Sequence, residues 1–291
     1  KNPGITPIMQ YYYSRKTGDW NDNDPANGTW SLTAGGGPAC GCIPGANSYA
    51  VISETNTVTV NVPASIGYIN IENNAILNGT ANFTITKDIT TNGTGVFSPS
   101  SGTWSVARNV TLTGTGASSF ATSTSIGGNL SVGSGTTLTM PLASDLTVTG
   151  NLNVDGTLAL STSNLLLNGL NTIISGSAGA ALITGTGSVN LTTGNKVFNI
   201  GSNLTIAPNV SIGAGRVITN NGTITLQNNL SGASAASKWI NGNNSVLNIA
   251  GALLTNGILD ASATNLVNYN GAGAQTLKVP LSTYYNVTFS N

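Results

Sequence analysis

The feature that most restricts the fold of this chain is a short apolar–x–apolar triplet that returns along its whole length between runs of Gly, Asn and Ser. Val58-Thr59-Val60, Phe83-Thr84-Ile85, Val110-Thr111-Leu112, Leu130-Ser131-Val132, Leu146-Thr147-Val148 and Ile224-Thr225-Leu226 are examples. Alternation with period two over so few residues describes a short strand with one buried and one solvated face. Asn78-Gly79 and Asn92-Gly93 are hairpin-turn signals, so an antiparallel meander competes with stacked coils at this point. A longer period separates the two. Thr57, Thr84, Thr111 and Thr137 each stand beside an equivalent triplet, about 27 residues apart, and two further series run alongside. Three strands per roughly 20–28 residues fit one coil of a right-handed parallel β-helix, whose coils close their backbone hydrogen bonds on one another.

The expected fold is therefore all-β, a β-solenoid with an irregular, aromatic-rich N-terminal cap. Residues 1–48 read as tail and cap, and 49–291 as a solenoid of about nine to ten coils. An open first coil exposes unpaired backbone and an apolar interior, and Trp20 and Trp30 are the residues best suited to plug it. Isolated aromatics further on, Phe97, Trp104, Phe120, Phe198 and Trp239, read as core stacks between coils.

Composition narrows the function. Only 6% of the residues are charged and the formal net charge is zero, so no field steers the chain to nucleic acid or anionic lipid. No run of ~18 apolar residues offers a membrane-spanning helix. Lys1–Gln10 lacks the apolar stretch of a secretion signal, so any such signal is expected to have been removed. The chain has no histidine, which takes away the usual base for a Ser or Cys nucleophile. Its solenoid carboxylates, Glu54, Glu72, Asp88, Asp145, Asp155 and Asp260, are scattered in phase, and Asp145 and Asp155 should lie on different faces. The expectation is a non-enzyme. Cys40 and Cys42 share one loop, either as free thiols or as a local bridge.

Tyr13-Ser14, Gly18-Asp19-Trp20, Thr29-Trp30-Ser31, Pro44-Gly45 and Val58-Thr59-Val60 follow one another near the N-terminus. Tyr269-Asn270-Gly271, Gly273-Ala274-Gln275-Thr276-Leu277 and Tyr284-Tyr285-Asn286-Val287-Thr288 follow one another near the C-terminus. Both stretches resemble large repeat-containing surface proteins of the Bacteroidota exported by the type IX secretion system. The resemblance implies an extracellular or cell-surface location and a role in adhesion or filament building. It also implies a longer parent chain that continues into further repeats or a sorting domain.

Three kinds of site are expected. Asp19, Asp22 and Asp24, with Asn21 and Asn23, crowd side-chain oxygens into one loop, and calcium takes roughly 6–8 such ligands. The loop lacks the EF-hand glycine and distal glutamate, and the same residues also serve as turn formers. Ile5, Ile8 and Met9 at one end, with Tyr285, Val287 and Phe289 at the other, are candidates for a head-to-tail joint. Surface glycans are the other expected partner, through a neutral exterior of hydroxyls and amides. The Thr-x-Thr pairs at Thr57/Thr59, Thr84/Thr86, Thr111/Thr113 and Thr137/Thr139 repeat at the ruler's spacing, as outward threonines do in ice-binding solenoids, but Thr147/Thr149 falls out of phase, and threonine is also simply a good outward strand residue.

Overall fold

The computed structural model describes residues 9–177 and 181–290, and the regular elements within them are all strands. Each circuit of the chain lays down three short strands, such as Ser48–Ile52, Thr57–Val60 and Ala64–Ile66, followed by Tyr68–Ile71, Ile76–Gly79 and Phe83–Ile85. Strands at the same place in successive circuits pair in parallel and in register. Along one column Ile69, Ile89, Val110, Leu130 and Leu152 are successive partners, 20–22 residues apart. The result is a parallel β-solenoid of about 12 coils with three faces. The first face is a 13-stranded sheet and the third a 9-stranded sheet. The second divides into 4-stranded and 9-stranded parts between Val96–Phe97 and Ala117–Ser119, where the Phe97 N–H donates to the Ser118 hydroxyl at 3.2 Å.

Inward positions form one continuous apolar column, because every triplet turns its two apolar side chains to the axis. Burying each Val, Leu or Ile there contributes about 1.5–3 kcal/mol. The five isolated aromatics stack inside, as expected, with Phe83 against Trp104 at 5.1 Å, Phe97 against Phe120 at 4.9 Å and Phe198 against Trp239 at 5.5 Å. The corner between the first and second faces repeats a left-handed residue, Thr55, Asn74, Gly93, Gly114 and then Gly135. At Gly114 a Cβ would stand 2.0 Å from the Gly93 carbonyl oxygen, so the stacked corner admits only glycine there.

Two sequence expectations need correction. The coils number about 12 rather than nine to ten, because one coil takes fewer residues than the 27-residue ruler assumed. That ruler advances by one coil and one face together. Thr57 lies on the second face, Thr84 on the third, Thr111 on the first and Thr137 on the second again. The four Thr-x-Thr pairs therefore form no common ladder.

The second correction concerns the cap. Residues expected to be irregular already carry solenoid strands. Gln10–Ser14 pairs in parallel with Ser48–Ile52, and Gly18–Asp19 pairs in parallel with Val58-Thr59. Trp30–Ser31 then runs antiparallel to Tyr13-Ser14 and covers that edge of the first face. Tyrosine favours strands, and the run Tyr11-Tyr12-Tyr13 takes the first rung because a partner edge is waiting at Ser48–Ile52.

Candidate functional site

The expected capping residues are inside the molecule. Trp20 and Trp30 are each 1% exposed and belong to the same buried cluster as Val58 and Val60. Their rings meet edge to face at 5.0 Å, and Trp20 meets Phe83 at 4.8 Å. The Trp30 indole N–H donates to the Trp20 carbonyl at 2.8 Å, and the Trp20 backbone N–H donates to the Thr59 carbonyl at 2.8 Å. The Cys40–Cys42 loop is bridged and hangs from this cap through the Cys40 N–H, which donates to the Trp30 carbonyl.

The acidic loop does not converge on a point. Asp24 accepts the N–H groups of Ala26 and Asn27 at 2.8 and 3.1 Å, and those two bonds hold its pKa below the usual carboxylate value. Asp22 accepts from the Asp24 N–H and the Thr29 hydroxyl and pairs with Lys16 at 3.5 Å. Asp19 stands in the strand Gly18–Asp19. Among the described residues no group of three Asp, Glu, Cys or His side chains is placed to hold a metal ion. These carboxylates build turns. Asp145 and Asp155 do fall on different faces, Asp145 in the third-face strand Asp145–Val148 and Asp155 just after the first-face strand Leu152–Val154.

Of the expected joint residues, Ile5 and Ile8 lie outside the described residues. Met9 is half-buried at the start of the first rung. Val287–Phe289 is the last strand of the second face, pairing with Leu266–Tyr269, and Val287 is half-buried. Tyr285 and Phe289 are exposed, although Phe289 stacks on Tyr269 at 5.3 Å.

Two outward rows, one internal side chain and a groove at the C-terminal end escape a reading by sequence alone. The third face carries a central row of hydroxyls on five consecutive coils: Ser65, Thr84, Ser105, Ser125 and Thr147. Neighbours stand one strand spacing apart, roughly 4.8 Å. Among the described residues none of the five hydroxyls has a hydrogen-bond partner, whereas the row beside them is tied to the scaffold. There the Thr103 N–H donates to Asn82 Oδ1 at 2.9 Å and the Asp145 N–H to Ser123 Oγ at 3.0 Å. A hydroxyl donates once and accepts twice, so the row presents a fixed array of unused donors and acceptors.

The first face carries a second outward row that changes character along the rod. It begins with Tyr11, Tyr49 and Tyr68, whose rings stack at 4.8 and 5.7 Å. It continues through Asp88, Asn109, Asn129 and Asn151, where each side-chain oxygen accepts the backbone N–H of the next residue in the row at 2.8–2.9 Å. It then turns aliphatic at Ile173 and Val197.

The third feature is internal. Lys196 lies in the strand Asn195–Phe198 with its side chain fully buried, and its ammonium donates to the carbonyls of Gly169 and Thr193. Burial, with the nearby Arg216 charge, pulls its pKa down to about 8.

At the C-terminal end the third face stops short. Its regular strands end at Leu230–Gly232, and one further bridge joins Leu230 to Leu253. The next circuit passes through Gly273–Val279 without forming a strand, and a groove of about 580 Å³ opens between that pass and Ala250–Thr255. Leu277, Val279 and Leu281 are exposed around it.

No family model matches this chain, and neither a curated protein nor a solved structure is significantly similar to it.

Proposed function

We propose that this chain is a rigid extracellular scaffold, a unit of a cell-surface fibre whose work is done by its shape and its neutral exterior. One observation carries the reading: the first-face ladder and the core behind it run without a break from Gln10–Ser14 to Ile258–Asp260. Each coil leans on both neighbours, so bending the rod would strain many parallel rungs at once. The surface resemblance to exported Bacteroidota proteins agrees with this role, and head-to-tail contact between copies would extend the rod into a filament. Electron microscopy of the purified chain tests it. Straight rods about 58 Å long, at ~4.8 Å per coil, and end-joined filaments of constant width are expected. Compact particles that never join would sink the filament part of the reading.

The hydroxyl row on the third face favours a second activity for the same rod, contact with surface polysaccharide. Unused donors and acceptors on a flat, uncharged strip suit a ligand that is itself rich in hydroxyls. Retention on insoluble polysaccharides, weakened by a Thr84→Val, Ser105→Val double substitution, is the expected result. Equal retention of the altered and original proteins would remove the row from any such role.

A further inference from the structure

Three tyrosines stack along the outside of the first face at its plugged end. Tyr11, Tyr49 and Tyr68 are successive partners in one outward column, because Gln10–Ser14, Ser48–Ile52 and Tyr68–Ile71 pair in parallel and in register. Strands paired in this way hold equivalent side chains one strand spacing apart, roughly 4.8 Å. The rings follow that spacing. Tyr11 meets Tyr49 at 4.8 Å with planes 23° apart, and Tyr49 meets Tyr68 at 5.7 Å with planes 14° apart. Tyr13, on the same strand as Tyr11, stands 6.5 Å from it. Tyr11 and Tyr49 are therefore the closest stacked tyrosines among the described residues.

Both phenols of that pair are reachable and untethered. Tyr11 is 43% exposed and Tyr49 is half-buried. Among the described residues neither hydroxyl has a hydrogen-bond partner. The hydroxyls of Tyr269 and Tyr284, by contrast, are tied to each other at 3.0 Å, and Tyr269 is buried. The strand that carries Tyr11 is also the one a covalent tie would serve most. Trp30–Ser31 pairs with Tyr13 and Ser14, so the stretch around Tyr11 is held through Ser48–Ile52. The Cys40–Cys42 bridge joins residues of a single loop and fastens no coil to another.

We propose that Tyr11 and Tyr49 form an oxidative cross-linking site, coupling to dityrosine under hydrogen peroxide and a one-electron oxidant of the peroxidase class. Each phenol gives up one electron and one proton, and the peroxide takes up both pairs to become two molecules of water. The two phenoxyl radicals join through a carbon–carbon bond between the ring carbons next to the hydroxyls. The hydrogen on each of those carbons moves to the neighbouring oxygen, which restores both phenols. The rings reach bonding distance by tilting their edges together, as free hydroxyls and solvent on the outer side permit. Holding the partners adjacent makes the coupling effectively unimolecular, so it outruns coupling between chains in dilute solution. The product ties residue 11 to residue 49 and, like a disulfide across a long loop, restricts the unfolded chain. Gln10–Ser14 can then no longer peel from Ser48–Ile52. Coupling within one chain needs neither a filament nor a polysaccharide, so its failure would leave the scaffold reading intact.

The test treats the intact chain, in dilute solution, with a haem peroxidase and hydrogen peroxide. Expected are the blue fluorescence of dityrosine, a single-chain mass lower by two hydrogen atoms, and a cross-linked peptide pair holding Tyr11 and Tyr49 after proteolysis. Amide exchange over Gln10–Ser14 should slow at least about tenfold. Tyr11→Phe and Tyr49→Phe keep the ring stack, and each should remove the single-chain product while circular dichroism stays unchanged. Tyr285→Phe, which alters an exposed tyrosine outside the stack, should leave that product in full. A single-chain cross-link that maps to Tyr269 and Tyr284, or that survives Tyr11→Phe, would overturn the assignment. So would coupling only between chains, or a chain of unchanged mass while free tyrosine in the same mixture is oxidised.

Discussion

The two ends of this solenoid solve the same physical problem in opposite ways. At the N-terminal end a run of chain crosses the opening, drops Trp20 and Trp30 into the core and lays Trp30–Ser31 antiparallel along the first-face edge. At the C-terminal end the last pass swings outward on Gln275 and leaves Leu277 and Val279 exposed at a groove. A stacked fold gains stability only where a coil has a neighbour, so a terminal coil needs either a plug or a partner. The first end is plugged; the second keeps a groove beside the bridge of Leu230 to Leu253.

The contrast is broken most directly at the plug. Trp30→Ala should destabilise the N-terminal coils by about 3–5 kcal/mol, since it empties a buried indole site and removes the hydrogen bond to the Trp20 carbonyl. Amide hydrogen exchange should show the loss over the first coils and spare the last ones. Uniform loss over the whole rod would mean that the coils unfold as a single unit and that the ends are not separable.

The middle of the rod gives a reference that depends on neither end. Lys196 ionises near pH 8 in the fold and near 10.5 in the unfolded chain. Between those values the unfolded chain keeps a proton that the folded chain has lost, so stability rises with pH across that window, by up to about 3 kcal/mol. Lys196→Met should abolish this slope and leave the exchange of both ends unchanged. Tyr284 acts in the opposite sense near the C-terminal groove. Burial, with the hydrogen bond to Tyr269, pushes its phenol up, so stability contributed there is present below pH 10 and lost above it. Denaturation followed from pH 7 to 11 in both proteins separates the two effects.

The smallest expected effect is at the groove. Val279→Ser changes an exposed side chain and should alter stability by less than about 0.5 kcal/mol. Sedimentation should nevertheless show weaker self-association than in the original chain. A large loss of stability would make the exposed apolar rim part of the fold rather than part of a contact.

The strands themselves were legible. Triplets such as Leu130-Ser131-Val132 and Leu146-Thr147-Val148 state their burial pattern residue by residue, and the isolated aromatics read correctly as core. The coil length was not legible, for a physical reason. All three faces are built from the same triplet, so a step of one coil and a step of one coil plus one face look alike in sequence. The longer step was read, and it hid the row Ser65, Thr84, Ser105, Ser125 and Thr147, which appears only at the shorter one. Lys196 was invisible too, because nothing beside it marks an inward lysine. The groove depends on how Gln275 directs its amide, a contact between residues of different coils that no local pattern encodes.

The parallel column of Leu130, Leu152 and their partners has a mechanical consequence. Tension applied along the axis loads the rungs of a terminal coil first, because only one neighbour holds it. Peeling one coil of 22 residues, such as that between Leu130 and Leu152, trades a rise of ~4.8 Å for roughly 70 Å of slack chain. A rod pulled at its ends would therefore lengthen in discrete steps, each coil dissipating work before the next is strained. The stack that makes the rod stiff against bending also makes it a graded fuse against stretching.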